Sequence, residues 1–253
     1  MGLFSGLNVT QSTEVEAEQE ERVGTGSKAI KVSGYQDFIV KMAYVAAGDD
    51  KEPNAQTGKA GGAMFIKMQL ENEEGQKLTV TEYITSSKIV REGQVIPPRT
   101  YYEKDGKRYD LPGFVKMKGL NYLLTGVDGE PQNVEEREIK EYDWDLKAEV
   151  PVRRNVLLDW IGRPIGACVA RIHKDKFSDK TKVQEVTEVK HWCDPTTGQF
   201  KAEKIQGGEA KNKQLFLDTL PESGIFDLRE QSKGGAPAGV STGSTSNAQA
   251  RSF

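Results

Sequence analysis

Cysteine and histidine are scarce: two of each in 253 residues. Cys168 and Cys193 are too few for a disulfide scaffold, which points to a reducing, cytoplasm-like compartment. No apolar run approaches the ~18–20 residues that cross a bilayer, so no membrane association is expected. The first residues lack the cationic stretch followed by an apolar one that marks a secretory leader. Gly6 stands where a myristoylation motif wants Ser or Thr. No nucleophile elbow or phosphate-cradling loop is present. Gly58-Lys59-Ala60-Gly61-Gly62 lacks the leading Gly and the Ser or Thr after Lys, and Gly24-Thr25-Gly26 is not followed by a third Gly in register. These absences weigh against an enzyme. An excess of positive charge is also missing: 35 Lys and Arg face 38 Asp and Glu, for a net charge of −3. Any site for a polyanion must then be a local basic groove.

The cysteines and histidines fall in one stretch, Cys168, His173, His191 and Cys193. Thiolate and imidazole in that number suit tetrahedral zinc. The C-x4-H-x17-H-x-C spacing, however, matches no finger or knuckle. On a strand, Cys168 and His173 are an odd number of residues apart and face opposite ways. The expectation is two buried thiols, two partly exposed histidines, no metal and no other cofactor.

The chain divides by composition. Residues 1–28 form an acidic arm with Glu14, Glu16, Glu18, Glu20 and Glu21 and few apolar residues. Residues 229–253 are dominated by Gly, Ala, Ser and Thr and read as a flexible tail. Order is expected over 29–228. Apolar and β-branched runs at Tyr35–Ala47, Ala63–Glu71 and Gln76–Thr85, joined by short connections, predict an antiparallel meander, with Gly48–Gly62 as a mobile loop. Phe114, Met117, Leu120, Leu123 and Leu124 recur at helical spacing and Gly126 is placed to stop the helix, which plugs one end of a small barrel. Val127–Glu149 carries nine acids and reads as a helical or irregular acidic linker anchored by Tyr142 and Trp144. Val150–Trp160, Ile165–Lys174 and Val183–Cys193 follow as strands in a basic half. Glu209–Leu220 suits a short helix with Leu215, Phe216 and Leu220 inward. The fold class is mostly β with one or two short helices: an OB-fold-like antiparallel Greek-key barrel with an extra hairpin, of the kind that holds single strands across one face.

The richest stretch is Arg99–Gly126. Tyr101, Tyr102 and Tyr109 sit among Arg99, Lys104, Lys107 and Arg108. Unpaired nucleic acid needs both ingredients, because flat rings stack on bases at roughly 1–3 kcal/mol each while cations track phosphates. A solvated hairpin with its tyrosines on the core is the competing reading. Trp160 is added as a stacking candidate, with core packing as its alternative, and Arg153, Arg154, Arg171 and Lys174 as phosphate candidates. Lys67 and Lys88 are further candidates for the same face.

Gln76–Gly126 resembles the single-stranded DNA-binding proteins of lytic tailed bacteriophages. The resemblance rests on Tyr83-Ile84-Thr85-Ser86, a Tyr-x-x-Asp-Gly-Lys hairpin over Tyr102–Lys107, Leu111-Pro112-Gly113-Phe114 and Leu123-Leu124-Thr125-Gly126. It implies an OB-fold binder that coats unwound DNA during phage replication, recombination or repair in the host cytoplasm. It also implies phage or host polymerase, or other replication proteins, as further partners. Many such proteins end in acidic residues capped by Phe; here Asn247–Ser252 before Phe253 holds no acid. The alternatives are a transcription cofactor that recruits an RNA polymerase to melted promoters, a virion or scaffold protein without DNA binding, and a metal-dependent nuclease.

Overall fold

The computed structural model describes residues 30–143 and 146–229. The acidic arm, Trp144 and the tail from residue 230 lie outside the described residues. The protein is mostly β, built on one large antiparallel sheet. Its spine is β1 (Gly34–Ala47), which pairs along one edge with β2 (Met64–Glu71), and β2 pairs in turn with β3 (Lys77–Tyr83). The meander read from the sequence is present. A register shift between Val40 and Met42 puts a bulge at Lys41. Such an insertion swaps the faces of a strand. Phe38 and Val40 therefore share the main core with Ala43 and Val45, while Met42, Tyr44 and Ala46 turn to the opposite face and a second apolar cluster.

After β3 come two small hairpins, β4 (Ile89–Arg91) with β5 (Gln94–Ile96), and β6 (Tyr101–Lys104) with β7 (Lys107–Asp110). The Gly48–Gly62 stretch, expected as a mobile loop, is hydrogen-bonded to this region. The Ala60 N–H donates to the Lys88 carbonyl and the Val90 N–H to the Gly58 carbonyl. Helix α1 (Pro112–Thr125) follows, ended by Gly126 in the left-handed region at φ 78°, and it buries the expected stripe of Phe114, Met117, Leu120, Leu123 and Leu124.

The acidic linker is corrected. Glu135 to Asp143 belong to a strand, β8 (Val134–Asp143), which pairs with β9 (Ala148–Leu157). Its half-buried positions include Arg137, Glu141 and Asp143 beside Ile139, so ionic groups occupy the inward register and the apolar alternation that announces a strand is missing. The charges also suit a strand whose other edge is unpaired among the described residues. A single 3-10 turn, Leu158–Trp160, leads to β10 (Pro164–Lys176) and β11 (Asp179–Cys193). β10 pairs with the first half of β1 and β9 with its last residues. Short helices α2 (Lys201–Gln206) and α3 (Lys211–Asp218) precede β12 (Phe226–Asp227) beside β10. In α3, Leu215 was expected inward and is instead 61% exposed, because Phe216 and Leu217 take the half-buried side of this short helix; Leu220, past its end, is also half-buried.

The main path runs β11-β10-β1-β2-β3 and does not close into a barrel. Its two outer strands are not paired to each other. Helix α1 packs against both of them, filling the opening where a closing ladder would be. A cleft of about 230 Å³ remains there, lined by Leu120, Leu123, Trp192 and Phe200 among others.

Close approach at the start of α1 fixes its seat on β3. A Cβ on Gly113 would lie 1.8 Å from the Tyr83 carbonyl oxygen, whereas one on Gly119 meets nothing nearer than 3.8 Å. Gly113→Ala should destabilise the protein by about 1–3 kcal/mol through overpacking. Gly119→Ala, in the interior of the same helix, should stabilise it by roughly 0.5–1 kcal/mol. Chemical denaturation of both variants checks the pair of opposite signs.

Candidate nucleic-acid interface

The β6–β7 hairpin is rooted at the end of β3. The Ser86 N–H donates to the Arg99 carbonyl at 2.8 Å, the Arg99 N–H donates to Ser86 Oγ at 3.1 Å, and the Leu111 N–H donates to the Thr100 carbonyl at 2.8 Å. Asp105 and Gly106 at its tip have φ of 54° and 71°. Two successive positive values make the turn whose twist suits a two-residue hairpin, and Asp-Gly is the pair that tolerates it. The register follows: Tyr101 opposite Asp110, Tyr102 opposite Tyr109, Glu103 opposite Arg108, Lys104 opposite Lys107.

Opposite residues in an antiparallel pair share a face and neighbours along a strand alternate. The hairpin is therefore two-sided. One side carries Tyr102, Tyr109, Lys104 and Lys107. The two rings stack at 5.5 Å and 22°, each more than 40% exposed, and neither lysine has an ion-pair partner among the described residues. The other side carries Tyr101 between the guanidinium groups of Arg99 at 5.7 Å and Arg108 at 4.7 Å, with Glu103 3.1 Å from Arg108. Asp110 on this side is held by Lys118 of α1. Rings and cations thus lie on both sides, but only the Tyr102–Tyr109 side pairs exposed rings with unneutralised charge.

Two aromatic residues beside the root were not among the sequence candidates. Tyr83, at the end of β3, is 59% exposed and meets Phe65 of β2 edge-on at 5.5 Å. Along β3, Leu78, Val80 and Glu82 point inward, while Lys77, Thr79, Thr81 and Tyr83 are exposed. Strand alternation was the signal that could have found them: Tyr83 lies on the solvent side of a strand already read as a strand. Lys67 lies on the same outer face, its ammonium 6.0 Å from the Tyr44 ring centroid. Lys88 is paired with Asp50 at 2.7 Å.

Of the candidates from the second half, only Arg153 and Arg154 lie at the hairpin's end of the sheet, and both are ion-paired. Trp160 is removed from the stacking set: it is fully buried, and its indole N–H donates to Asn121 Oδ1 at 2.9 Å, tying the 3-10 turn to α1. Arg154 grips Glu141 with two hydrogen bonds of 2.7 and 3.2 Å, and Arg153 lies 3.8 Å from Glu136. Both sit on β9 past its pairing with Tyr44 and Val45, at the end of the sheet where the hairpin is rooted. Arg171 is bound to Glu185 at 2.6 Å and to Thr187 at 2.8 Å, and Lys174 stands 4.0 Å from Glu188. These two lie beyond Val169, which pairs with Gly34 at the opposite end of β1 from Ala46 and its partner Phe65. The intervening length of β1 is roughly 40 Å at ~3.3 Å per residue. One continuous track through all twelve candidates is not what the sheet provides.

Cys168 and Cys193 are buried with their sulfurs 3.8 Å apart. His173 faces Glu185 at 3.5 Å, and His191 stacks on Phe200 at 4.8 Å. Burial, then Lys116 and Lys190, push the His191 imidazole below its ordinary value. The four residues do not converge, and among the described residues no three His, Cys, Asp or Glu side chains are grouped to hold a metal ion.

No protein-family model, curated protein or solved structure matches the chain, so the reading of this surface rests on its own residues.

Arg154 and Glu141 give a test of which cations are structural. The Arg154 guanidinium holds the Glu141 carboxyl below its usual range. A depressed carboxylate contributes stability above its unfolded value, near pH 4.5, and loses it as pH falls through the lower folded value. Glu141→Gln should cost about 1–2 kcal/mol at pH 7. The gap from the unaltered protein should shrink by pH 3 in denaturant titrations.

Proposed function

We propose that the protein is a non-enzymatic single-stranded DNA-binding protein that holds unpaired bases by stacking and their phosphates by charge. The observation that carries this reading is the Tyr102–Tyr109 face of the β6–β7 hairpin, where two stacked, exposed rings stand beside two lysines that have no ion-pair partner among the described residues. Tyr83 and Phe65 extend the aromatic surface onto β2 and β3 from the hairpin root, three residues away at Ser86. Ring faces accept any base, so the binding is tolerant of sequence.

The finer fold proposal is an opened OB barrel. Supporting it are the strand order β11-β10-β1-β2-β3 and the helix that follows β3. In such a barrel the fourth strand lies beside the first and the fifth beside the fourth, as β10 and β11 do here, and the face of the second and third is the oligonucleotide surface. The β8–β9 hairpin is then an insertion between the helix and the fourth strand. The resemblance of Gln76–Gly126 to phage proteins supports a role in phage replication, recombination or repair within the host cytoplasm. A cofactor role at melted promoters would use the same face plus a protein patch. The exposed Glu136 and Glu138 of β8 supply acidic groups for one, and a pull-down with polymerase subunits separates the two roles.

A labelled oligothymidine should bind much more tightly than a matched duplex. Tyr102→Ala with Tyr109→Ala should weaken binding at least tenfold without lowering stability, given ~1–3 kcal/mol per stacked base. Lys104→Ala with Lys107→Ala should flatten the salt dependence by roughly 1.4 in log–log slope, two phosphate contacts on a single strand. Equal affinity for duplex, or unchanged affinity in the double tyrosine variant, contradicts the proposal.

A further inference from the structure

At the end of the sheet opposite the tyrosine hairpin stands Phe177, with 101% relative exposure. It occupies the two-residue turn between β10 and β11, with Ser178. β1 reaches β10 only to Val169 and β12 only to His173. Among the described residues, the β10–β11 ribbon from Lys174 to Phe177 therefore projects without a third strand, for about 13 Å at ~3.3 Å per residue. Lys176 pairs with Asp179, and the next partner pair is Asp175 with Val183. Lys180, Thr181 and Lys182 thus stand in a bulge, all exposed, and twist the ribbon at its tip. Thr181 fixes the turn, its N–H and its hydroxyl both donating to Asp179 Oδ1, at 3.1 and 2.6 Å.

A bare ring at the tip of a projecting ribbon has a narrow range of uses. Its neighbours in the turn are Lys176, Ser178 and Asp179, and the nearest exposed apolar residue along the ribbon, Val183, lies beyond the bulge, so the turn itself offers a single ring and not the broad apolar patch that docks on a protein. Between Lys174 and Lys182 four lysines face Asp175 and Asp179; Lys182 is 3.1 Å from Asp179 and Lys174 4.0 Å from Glu188, both on exposed side chains that a phosphate can reach. A single ring cannot line a track for successive bases, but it fits one flat, apolar surface with phosphates around its rim. The exposed face of a terminal base pair is that surface, and apolar wedges against base steps with cations on the backbone are an established mode of contact.

We propose that the β10–β11 tip recognises the junction where a duplex opens into single strands, with Phe177 stacked on the last base pair and the tip lysines against the duplex phosphates. This rests on the single-strand reading of the protein and names a more specific substrate for it. The geometry suits the division: the duplex abuts one end of the sheet, and one unpaired strand leaves it toward the hairpin at the other.

The test uses the full chain and three labelled probes: an oligothymidine of about 16 nucleotides, the upper range for one such fold, a blunt duplex, and that duplex carrying the oligothymidine as a 5′ or 3′ overhang. The overhang duplex should bind about five- to tenfold more tightly than the oligothymidine alone, one stacking contact's worth. Phe177→Ala should erase that gain and leave oligothymidine affinity within about twofold, while Phe177→Trp retains it. Oligothymidine binding without any gain for either overhang, or a gain that survives Phe177→Ala, overturns the junction proposal and leaves single-strand binding intact. Failure of every probe to bind overturns both.

Discussion

The turn at Asp105 and Gly106 governs everything that follows on the hairpin. With both residues at positive φ, the strands on either side lock into the register that sets Tyr102 against Tyr109 and Lys104 against Lys107. A slip of one residue would send each of those side chains to the other face. The aromatic pair would separate, and the lysines would join Glu103 and Asp110, whose carboxylates would neutralise them. A local backbone preference therefore decides whether rings and unneutralised cations share a side. The root decides where that side faces, since the Ser86–Arg99 hydrogen bonds fasten the hairpin beside the exposed end of β3.

Charge behaves differently in the two halves, and burial is the reason. On the β6–β7 hairpin there is little core to shelter side chains, so Lys104 and Lys107 remain solvated and available. On β8–β9 the bulge in β1 turns Tyr44 and Ala46 outward, and Val156, Ile139 and Leu158 cover them. An arginine beside that cluster is partly desolvated and takes a carboxylate partner, as Arg154 takes Glu141. Arg171, with only 17% of its side chain exposed, does the same with Glu185. Counting cations along the sequence overstates the basic surface, because each partly buried one brings its own acid.

Much of this was legible in the sequence. The meander, α1 with its Gly126 stop, and the long strands of the second half carried strong periodic patterns, and the hairpin was marked by its Asp-Gly turn. Three things were hidden. β8 has charged groups at its inward positions, so it shows no alternation of apolar residues. The bulge at Lys41 reverses the faces of β1 without any Gly to announce it. Trp160 looks the same in sequence whether it stacks on a base or, as here, sits in the core against Asn121. Tyr83 was legible too, since strand parity alone puts it on the exposed face.

The central claim is that unpaired bases lie on the hairpin and the adjoining face of β2 and β3. Photo-crosslinking of a bromodeoxyuridine-substituted single strand, followed by mass spectrometry of the digested protein, reads that contact directly. The account predicts adducts concentrated at Tyr102, Tyr109 and Tyr83. Adducts confined to β8–β9 or to β10–β11, with none on residues 99–110 or on Tyr83, would contradict it.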